Sequence, residues 1–272
     1  MNFEQKLNNI VQKNNSLLCI GLDPDIELIP KYLLKREDPI YEFNKAIIDS
    51  THDLVCAYKP NIAFYEAYGI EGLRSLKKTI DFLKANYKGI PIILDAKRGD
   101  IANSAKMYAK AVFDYWDADA VTVYPHLGLD SIIPFLEYKD RLTILLIKTS
   151  NPDSKMFQDV YINKEPYYLK MAEKISRWKY DNIGIFVGAT YPKELEMVRK
   201  VFPRFIFLSA GIGAQKADVK KSVKAGIDKK KGGIMFNVGR SILYASSTKD
   251  FAKNVRYKAR KIRDLINKYR YE

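Results

Sequence analysis

The feature that most constrains the fold is an alternation of short apolar runs and longer amphipathic segments along the whole chain. The segments between the runs, such as EGLRSLKKTIDFLKANY and PKELEMVRKVF, are apolar on one helical face and charged on the other. Runs that are apolar on both sides suit parallel strands covered by helices. Eight runs are predicted to be strands: residues 17–22, 54–59, 91–95, 120–124, 143–148, 183–187, 205–210 and 233–238.

Eight β and α units in series predict an α/β fold, a single (β/α)8 TIM barrel, with an open doubly wound sheet as the alternative. The chain has 272 residues, of which 47% are hydrophobic, enough for one large core. Its length is also close to the roughly 250 residues typical of this barrel. No linker or low-complexity segment interrupts the pattern, so we expect one domain over residues 1–272.

The sequence shows no sign of a membrane or secretory segment. No stretch approaches the roughly 20 apolar residues that a membrane span needs. The first residues, MNFEQKLNNI, lack the apolar core of a signal peptide. We therefore expect a cytoplasmic protein with no membrane partner.

The cysteines and histidines predict no metal site. Cys19 and Cys56 lie in apolar runs without metal-ligand or redox spacing, which favours ordinary core thiols. His52 and His126 are too few and too isolated for a histidine-based metal site. We expect neither a metal nor an organic cofactor.

The net charge of +14 is compatible with a nucleic-acid surface, an anionic substrate or a lysine-rich exterior. The lysines are spread along the chain, and the most basic segment is 253–270. Its apolar residues recur at helical spacing, which predicts a terminal helix with a solvated basic face rather than a nucleic-acid arm. These apolar residues are Val255, Ala259, Ile262, Ile266 and Tyr269.

The distinctive polar residues fall where strands end. In a barrel these positions converge on the C-terminal mouth, where such enzymes build their active sites. The positions are Asp23 and Asp25, Lys59 and Asn61, Asp95 to Asp100, Thr149 to Asn151, Gln215, and Gly239 with Arg240.

A charged motif, IILDAKRGDI, ends the third strand. Strand alternation places Asp95 and Lys97 on one side, with Asp100 at the following turn. Lys59 ends the second strand, beside Asp95, so the four charges would alternate in sign. Carboxylates on either side keep a lysine protonated, which makes it a stable cation and proton donor. The alternative is a helix-capping and salt-bridge cluster that only closes the loop.

At these motifs the chain resembles the orotidine 5'-phosphate (OMP) decarboxylases, in particular the branch whose third strand reads DAKRGDI. The resemblance covers nearly the whole chain, in several motifs that follow in order. The matching segments are GLDPD at 21–25, KPNIAFYE at 59–66, LDAKRGDI at 94–101, KTSNP at 148–152, VGAT at 187–190, SAGIGAQ at 209–215 and NVGRSI at 237–242.

The resemblance implies conversion of OMP to UMP and CO2 in de novo pyrimidine biosynthesis, without a cofactor. It implies that Lys97 stabilises the carbanion at C6 of the pyrimidine and protonates it, and that Asp95 faces the departing carboxylate. Lys59 would order the array and touch the ribose. Asp100 would reach across a homodimer interface into the partner's site, so that each active site is shared.

The resemblance also assigns the residues that bind the rest of the substrate. Ser104 stands where the family often has a threonine from the second subunit, and the loop after Ser150 has no pattern to transfer. The other assignments are Asp23 and Asn61 for the ribose, Thr149 and Ser150 for the pyrimidine, and Gln215, Gly239 and Arg240 for the phosphate.

The chemistry fits this residue set. Decarboxylation leaves negative charge on a carbon without an adjacent electron sink, so preorganised positive charge must be supplied there. Lys97 can supply it without pyridoxal, thiamine or a metal.

Two other functions remain as alternatives. A magnesium-dependent sugar-phosphate decarboxylase or aldolase-like synthase shares the Asp, Lys, Asp spacing on strand three, but Lys59 would repel its cation. A non-catalytic barrel could bind nucleotides or RNA through the +14 surface. It would need basic and aromatic residues gathered on one face, whereas here they are scattered.

Overall fold

The computed structural model describes residues 1–212 and 218–272. Eight parallel strands form one sheet: β1 Leu18–Leu22, β2 Ala57–Pro60, β3 Ile93–Arg98, β4 Ala120–Val123, β5 Leu142–Lys148, β6 Ile183–Val187, β7 Ile206–Ala210 and β8 Ile234–Val238. They pair in the order β2-β1-β8-β7-β6-β5-β4-β3. Parallel bridges Tyr58 to Ile92 and Asn61 to Asp95 join β2 to β3 and close the ring. The (β/α)8 barrel is confirmed, and the open sheet is wrong.

Helices surround the barrel and cover its amino end. A short antiparallel hairpin, Tyr161–Ile162 with Glu165–Pro166, lies in the loop after β5, and a π-helical turn, Ala111–Tyr115, follows α5. The helices are α1 Phe3–Asn14, α2 Pro39–Thr51, α3 Ala63–Glu66, α4 Gly69–Asn86, α5 Ala102–Lys110, α6 Leu129–Leu136, α7 Lys155–Gln158, α8 Tyr167–Ile175, α9 Pro192–Val201, α10 Val219–Gly226, α11 Arg240–Leu243 and α12 Phe251–Tyr271.

The basic C-terminal segment forms α12, as its periodicity predicts. Val255, Ala259, Ile262 and Ile266 are buried, whereas most of its lysines and arginines face solvent. Arg256 reaches the carboxylate of Asp53 with both terminal nitrogens, at 2.6 and 2.7 Å. Burial of the apolar stripe therefore holds α12 on the barrel.

Helix α1 covers the amino end of the barrel. A capping box between Asn2 and Gln5 starts the helix. The buried Lys6 ammonium then donates to both oxygens of Asp119 at 2.8 Å. Asp119 also accepts a hydrogen bond from the backbone N–H of Ile92, at 2.8 Å. These contacts tie α1 to the ends of two strands, at the end of the barrel opposite the polar strand ends.

Both cysteines are buried and free, as predicted for core thiols. Burial raises the pKa of Cys19 to about 12, so its thiol stays protonated and unreactive at neutral pH. No helix in the described parts of the chain is long and apolar enough to cross a membrane.

Candidate active site

The centre of the site is an ion array of Lys59, Asp95 and Lys97. Lys59 lies on β2, and Asp95 and Lys97 lie on the adjacent β3. Lys59 Nζ lies 2.7 Å from Asp95 Oδ2, and Lys97 Nζ lies 2.7 Å from Asp95 Oδ1. One carboxylate thus holds an ammonium on each oxygen, and the neighbouring strands β2 and β3 bring Lys59 to Asp95 as predicted.

Exposure distinguishes the two lysines. The Lys59 side chain is only 5% exposed, whereas the Lys97 side chain is 40% exposed. Lys59 is therefore a buried counter-ion for Asp95. Lys97 presents its ammonium toward the open mouth, where a ligand can reach it.

The array stabilises its own charges. Burial alone would raise the pKa of Asp95, but the ammonium groups of Lys59 and Lys97 hold it well below its usual range. Burial alone would lower the pKa of Lys59, but the carboxylates of Asp95 and Asp23 raise it above its usual value. Asp95 is consequently a carboxylate and Lys59 an ammonium at neutral pH.

Thr122 of β4 is a fourth member of this cluster that the sequence did not reveal. Its hydroxyl donates to Asp95 Oδ1 at 2.8 Å and accepts the backbone N–H of Lys97 at 3.0 Å. Lys97 lies in the left-handed region, with φ of 46°. The pairing of β3 with β4 shifts register between Leu94 and Arg98, around this residue.

Asp23 and Asn61 lie together beside the array. The backbone N–H of Asn61 donates to Asp23 Oδ1 at 3.3 Å. Burial raises the pKa of Asp23 above its usual value, an effect that the charge of Lys59 reduces but does not cancel. A Cβ at Gly239 would lie 3.3 Å from Asp23 Oδ2, so the end of β8 reaches the same corner of the mouth.

Thr149 and Ser150 follow β5, in a loop whose first residues form hydrogen bonds with side chains that come later in the same loop. The backbone N–H of Thr149 donates to the Gln158 side chain at 2.9 Å. The fully buried Lys148 donates to Asp159 at 2.5 Å and to Ser154 at 3.2 Å. The later part of the loop therefore packs against the carboxyl end of β5.

Asp100 and Ser104 lie outside the array within one chain. The carboxylate of Asp100 accepts the backbone N–H of Ile101 at 2.8 Å, and Ser104 is exposed on α5. Among the described residues, Asp100 forms no ion pair with Lys59 or Lys97. No side chain caps the amino end of helix α5, so the charged motif that precedes it, IILDAKRGDI, does not act as a helix cap.

Comparison with known proteins identifies the family. The family model described as "Orotidine 5'-phosphate decarboxylase / HUMPS family" matches residues 16–255. The chain is 44% identical to the orotidine 5'-phosphate decarboxylase of Thermomicrobium roseum, and the match covers 100% of this chain and 97% of that protein. The chain belongs to this family.

The chain is also similar in fold to solved structures of the orotidine 5'-phosphate decarboxylase family. The OMP decarboxylase of Leishmania donovani is 36% identical, with a TM-score of 0.87 and coverage of 100% of both chains. The UMP synthase of the same organism is 37% identical, with a TM-score of 0.88. This chain is covered completely in that match but spans 57% of the synthase.

The structure describes two of the three residues that we predict to bind the phosphate. Gln215 lies outside the described residues. Gly239 directly follows β8, and its carbonyl oxygen accepts the backbone N–H groups of Ile242 and Leu243, the last two residues of the short helix α11. Arg240 is the first residue of α11 and is exposed.

Proposed function

We propose that this protein is an OMP decarboxylase that converts OMP to UMP and CO2 in de novo pyrimidine biosynthesis. The observation that carries the proposal is the buried Asp95 carboxylate between Lys59 and Lys97 at the mouth of a barrel of this family. This arrangement supports the proposal because a preorganised cation would stabilise the negative charge that develops on the substrate.

In the proposed reaction the bond from C6 to the carboxylate carbon breaks, CO2 leaves, and the electron pair stays on C6. The Lys97 ammonium lies beside C6, stabilises the carbanion and donates its proton to it. Asp95 faces the departing carboxylate and positions Lys97. Lys59 holds Asp95 and contacts the ribose. Electrons and protons balance without a metal or an organic cofactor.

The remaining predicted residues would bind the parts of OMP that do not react. Asp23 and Asn61 would bind the ribose, and Thr149 and Ser150 the pyrimidine edge. Gln215, Gly239 and Arg240 would grip the phosphate. Binding energy from this distant group would orient the pyrimidine over Lys97.

We propose a homodimer with shared active sites. Asp100 stands apart from the array of its own chain, and the α5 segment around it exposes Ile101 (55%) and Met107 (64%). A second copy that covers these side chains would bring its Asp100 and Ser104 to the site.

We further propose that residues 1–272 form one cytoplasmic domain. Its small-molecule partners would be OMP and UMP, and it would have no nucleic-acid or membrane partner. OMP and UMP are both phosphorylated nucleotides. Their charged phosphate groups cross membranes poorly, so they stay in the compartment where they are made.

The test compares OMP with magnesium-dependent sugar phosphates as substrates. Purified protein is incubated with OMP in the presence of a chelator, and UMP formation and CO2 release are measured. We expect equal amounts of both products, unaffected by the chelator. Turnover of sugar phosphates only, and only with magnesium, would establish the alternative activity instead. That alternative is disfavoured because Lys59 and Lys97 would repel a divalent cation at Asp95.

A further inference from the structure

We infer that Thr122 is a positioning residue for the reaction, and that its hydroxyl sets where the Lys97 ammonium lies. The inference rests on the proposed function and adds a residue from β4 to it. Thr122 is 1% exposed, so substrate does not reach it and it acts only through its neighbours.

The two hydrogen bonds of Thr122 determine the direction of its hydroxyl proton. A threonine hydroxyl has one proton to donate and lone pairs to accept with. Its oxygen accepts the backbone N–H of Lys97 at 3.0 Å. The proton is therefore directed to Asp95 Oδ1, at 2.8 Å. The β-branched side chain has few rotamers, which keeps this geometry in place.

The hydrogen bond from the Lys97 N–H to the Thr122 hydroxyl supports an unusual backbone conformation at Lys97. Lys97 lies at φ of 46°, in a region that side chains other than glycine seldom adopt. Such a conformation persists only where the surroundings hold it. The register shift between Leu94 and Arg98 removes the regular β3 to β4 ladder at this point, and the Thr122 hydroxyl accepts the Lys97 N–H in its place. Without it, the backbone that carries the ammonium would relax.

The second bond fixes the carboxylate. Asp95 Oδ2 accepts from Lys59, and Asp95 Oδ1 accepts from both Lys97 and Thr122. Donors from β2, β3 and β4 thus hold the plane of the carboxylate. Loss of the β4 donor would let the carboxylate turn and move the Lys97 ammonium with it.

The test replaces the hydroxyl with a methyl group in Thr122→Val. The matched control is Thr143→Val on β5, which is also buried but whose hydroxyl has no hydrogen-bond partner within the described parts of the chain. Thr122→Ser restores the hydroxyl without the methyl group. Thermal unfolding by circular dichroism checks each variant, and Thr122→Ala is a second hydroxyl deletion if the valine variant folds poorly.

We expect Thr122→Val and Thr122→Ala to lower kcat by about 10- to 100-fold, because a misplaced catalytic group costs rate rather than binding. KM should change less than about threefold, since the hydroxyl does not touch substrate. Thr122→Ser and Thr143→Val should keep kcat within about threefold of the wild-type value.

Three results would overturn this role: wild-type kcat in both hydroxyl deletions, a loss confined to KM, or an equal loss of kcat in Thr122→Ser. Wild-type turnover is measured first. Absence of any decarboxylation by the folded wild type would overturn the proposed function itself, whereas an active wild type beside an equally active Thr122→Val variant would overturn only the role of Thr122.

Discussion

Lys59 of β2 and Asp95 of β3 form an ion pair of 2.7 Å whose side chains are 5% and 10% exposed. Both ions of a buried pair lose their hydration when the protein folds. Removal of one ion therefore leaves the other as an uncompensated buried charge. Lys97 and Thr122 donate to the second carboxylate oxygen, so both oxygens of the buried Asp95 are hydrogen-bonded. The site is therefore also a sensitive point for stability.

We predict that Asp95→Asn abolishes activity and also lowers the free energy of unfolding by roughly 3–5 kcal/mol, because Lys59 stays buried without its main counter-ion. Urea unfolding at neutral pH measures the change. Glu196→Gln is the matched control, since its partner Lys200 is exposed and its ion pair lies on the surface. That control should lose no more than about 1 kcal/mol. An Asp95→Asn variant as stable as the control would contradict the prediction.

The low pKa of Asp95 predicts a specific dependence of stability on pH. The folded protein holds this pKa well below the usual value, so the folded state binds fewer protons here than the unfolded chain. The resulting stability is complete above the unfolded pKa of about 4 and is lost as pH falls below it. The difference between wild type and Asp95→Asn should shrink from pH 6 to about pH 3. A difference that grows in acid would refute this assignment.

Asp23 contributes to the pH dependence of stability with the opposite sign to Asp95, because burial raises its pKa. Its ionised form is disfavoured in the folded state at neutral pH, and below about pH 4 both states are protonated and this cost disappears. We predict that Asp23→Asn raises Tm by about 1–3 °C at neutral pH but not in acid. The same variant should weaken substrate binding, which a rise in KM would show. A lower Tm at neutral pH would contradict this prediction, because it would mean that the attraction between the charges of Asp23 and Lys59 outweighs the cost of burying Asp23.

The proposed shared site predicts complementation between two inactive variants. Lys97→Ala and Asp100→Ala would each leave a homodimer without an intact site. In an equal mixture of exchanged subunits, half of the dimers are mixed and each carries one intact site, which restores about a quarter of wild-type activity. Activity is assayed before and after subunit exchange. Absence of recovery, with mixed dimers demonstrated by mass spectrometry, would place Asp100 in the site of its own chain.

The barrel and the core of the site could be predicted because both follow from periodic patterns. Apolar runs mark strands, adjacent strands bring their ends together, and Lys59 and Asp95 therefore meet. The extent of β3 was predicted incompletely: the predicted strand ended at Asp95, because the apolar run that marks it stops at Leu94. In the structure Arg98 still pairs with Val123, beyond the left-handed Lys97.

Thr122 and Lys148 show why other parts of the site were missed. Thr122 lies in the run AVTV, where a threonine is an ordinary strand residue. Its role depends on the backbone conformation of Lys97, which no local pattern encodes. Lys148 ends an apolar strand, and its partner Asp159 lies in a loop without a recognisable motif. The proposed contact of Asp100 with a second chain rests on the family resemblance alone, because a contact between two chains has no signature in the spacing of one.

The most direct test of the central claim is decarboxylation of OMP by wild type and Lys97→Ala under single-turnover conditions, with UMP affinity measured by calorimetry on the same samples. We predict that the variant binds UMP within about tenfold of wild type but loses at least about a thousandfold in the rate of CO2 release, because it lacks both the proton donor and the stabilising charge. A folded Lys97→Ala variant that releases CO2 at close to the wild-type rate would contradict the assignment of Lys97 as the catalytic acid.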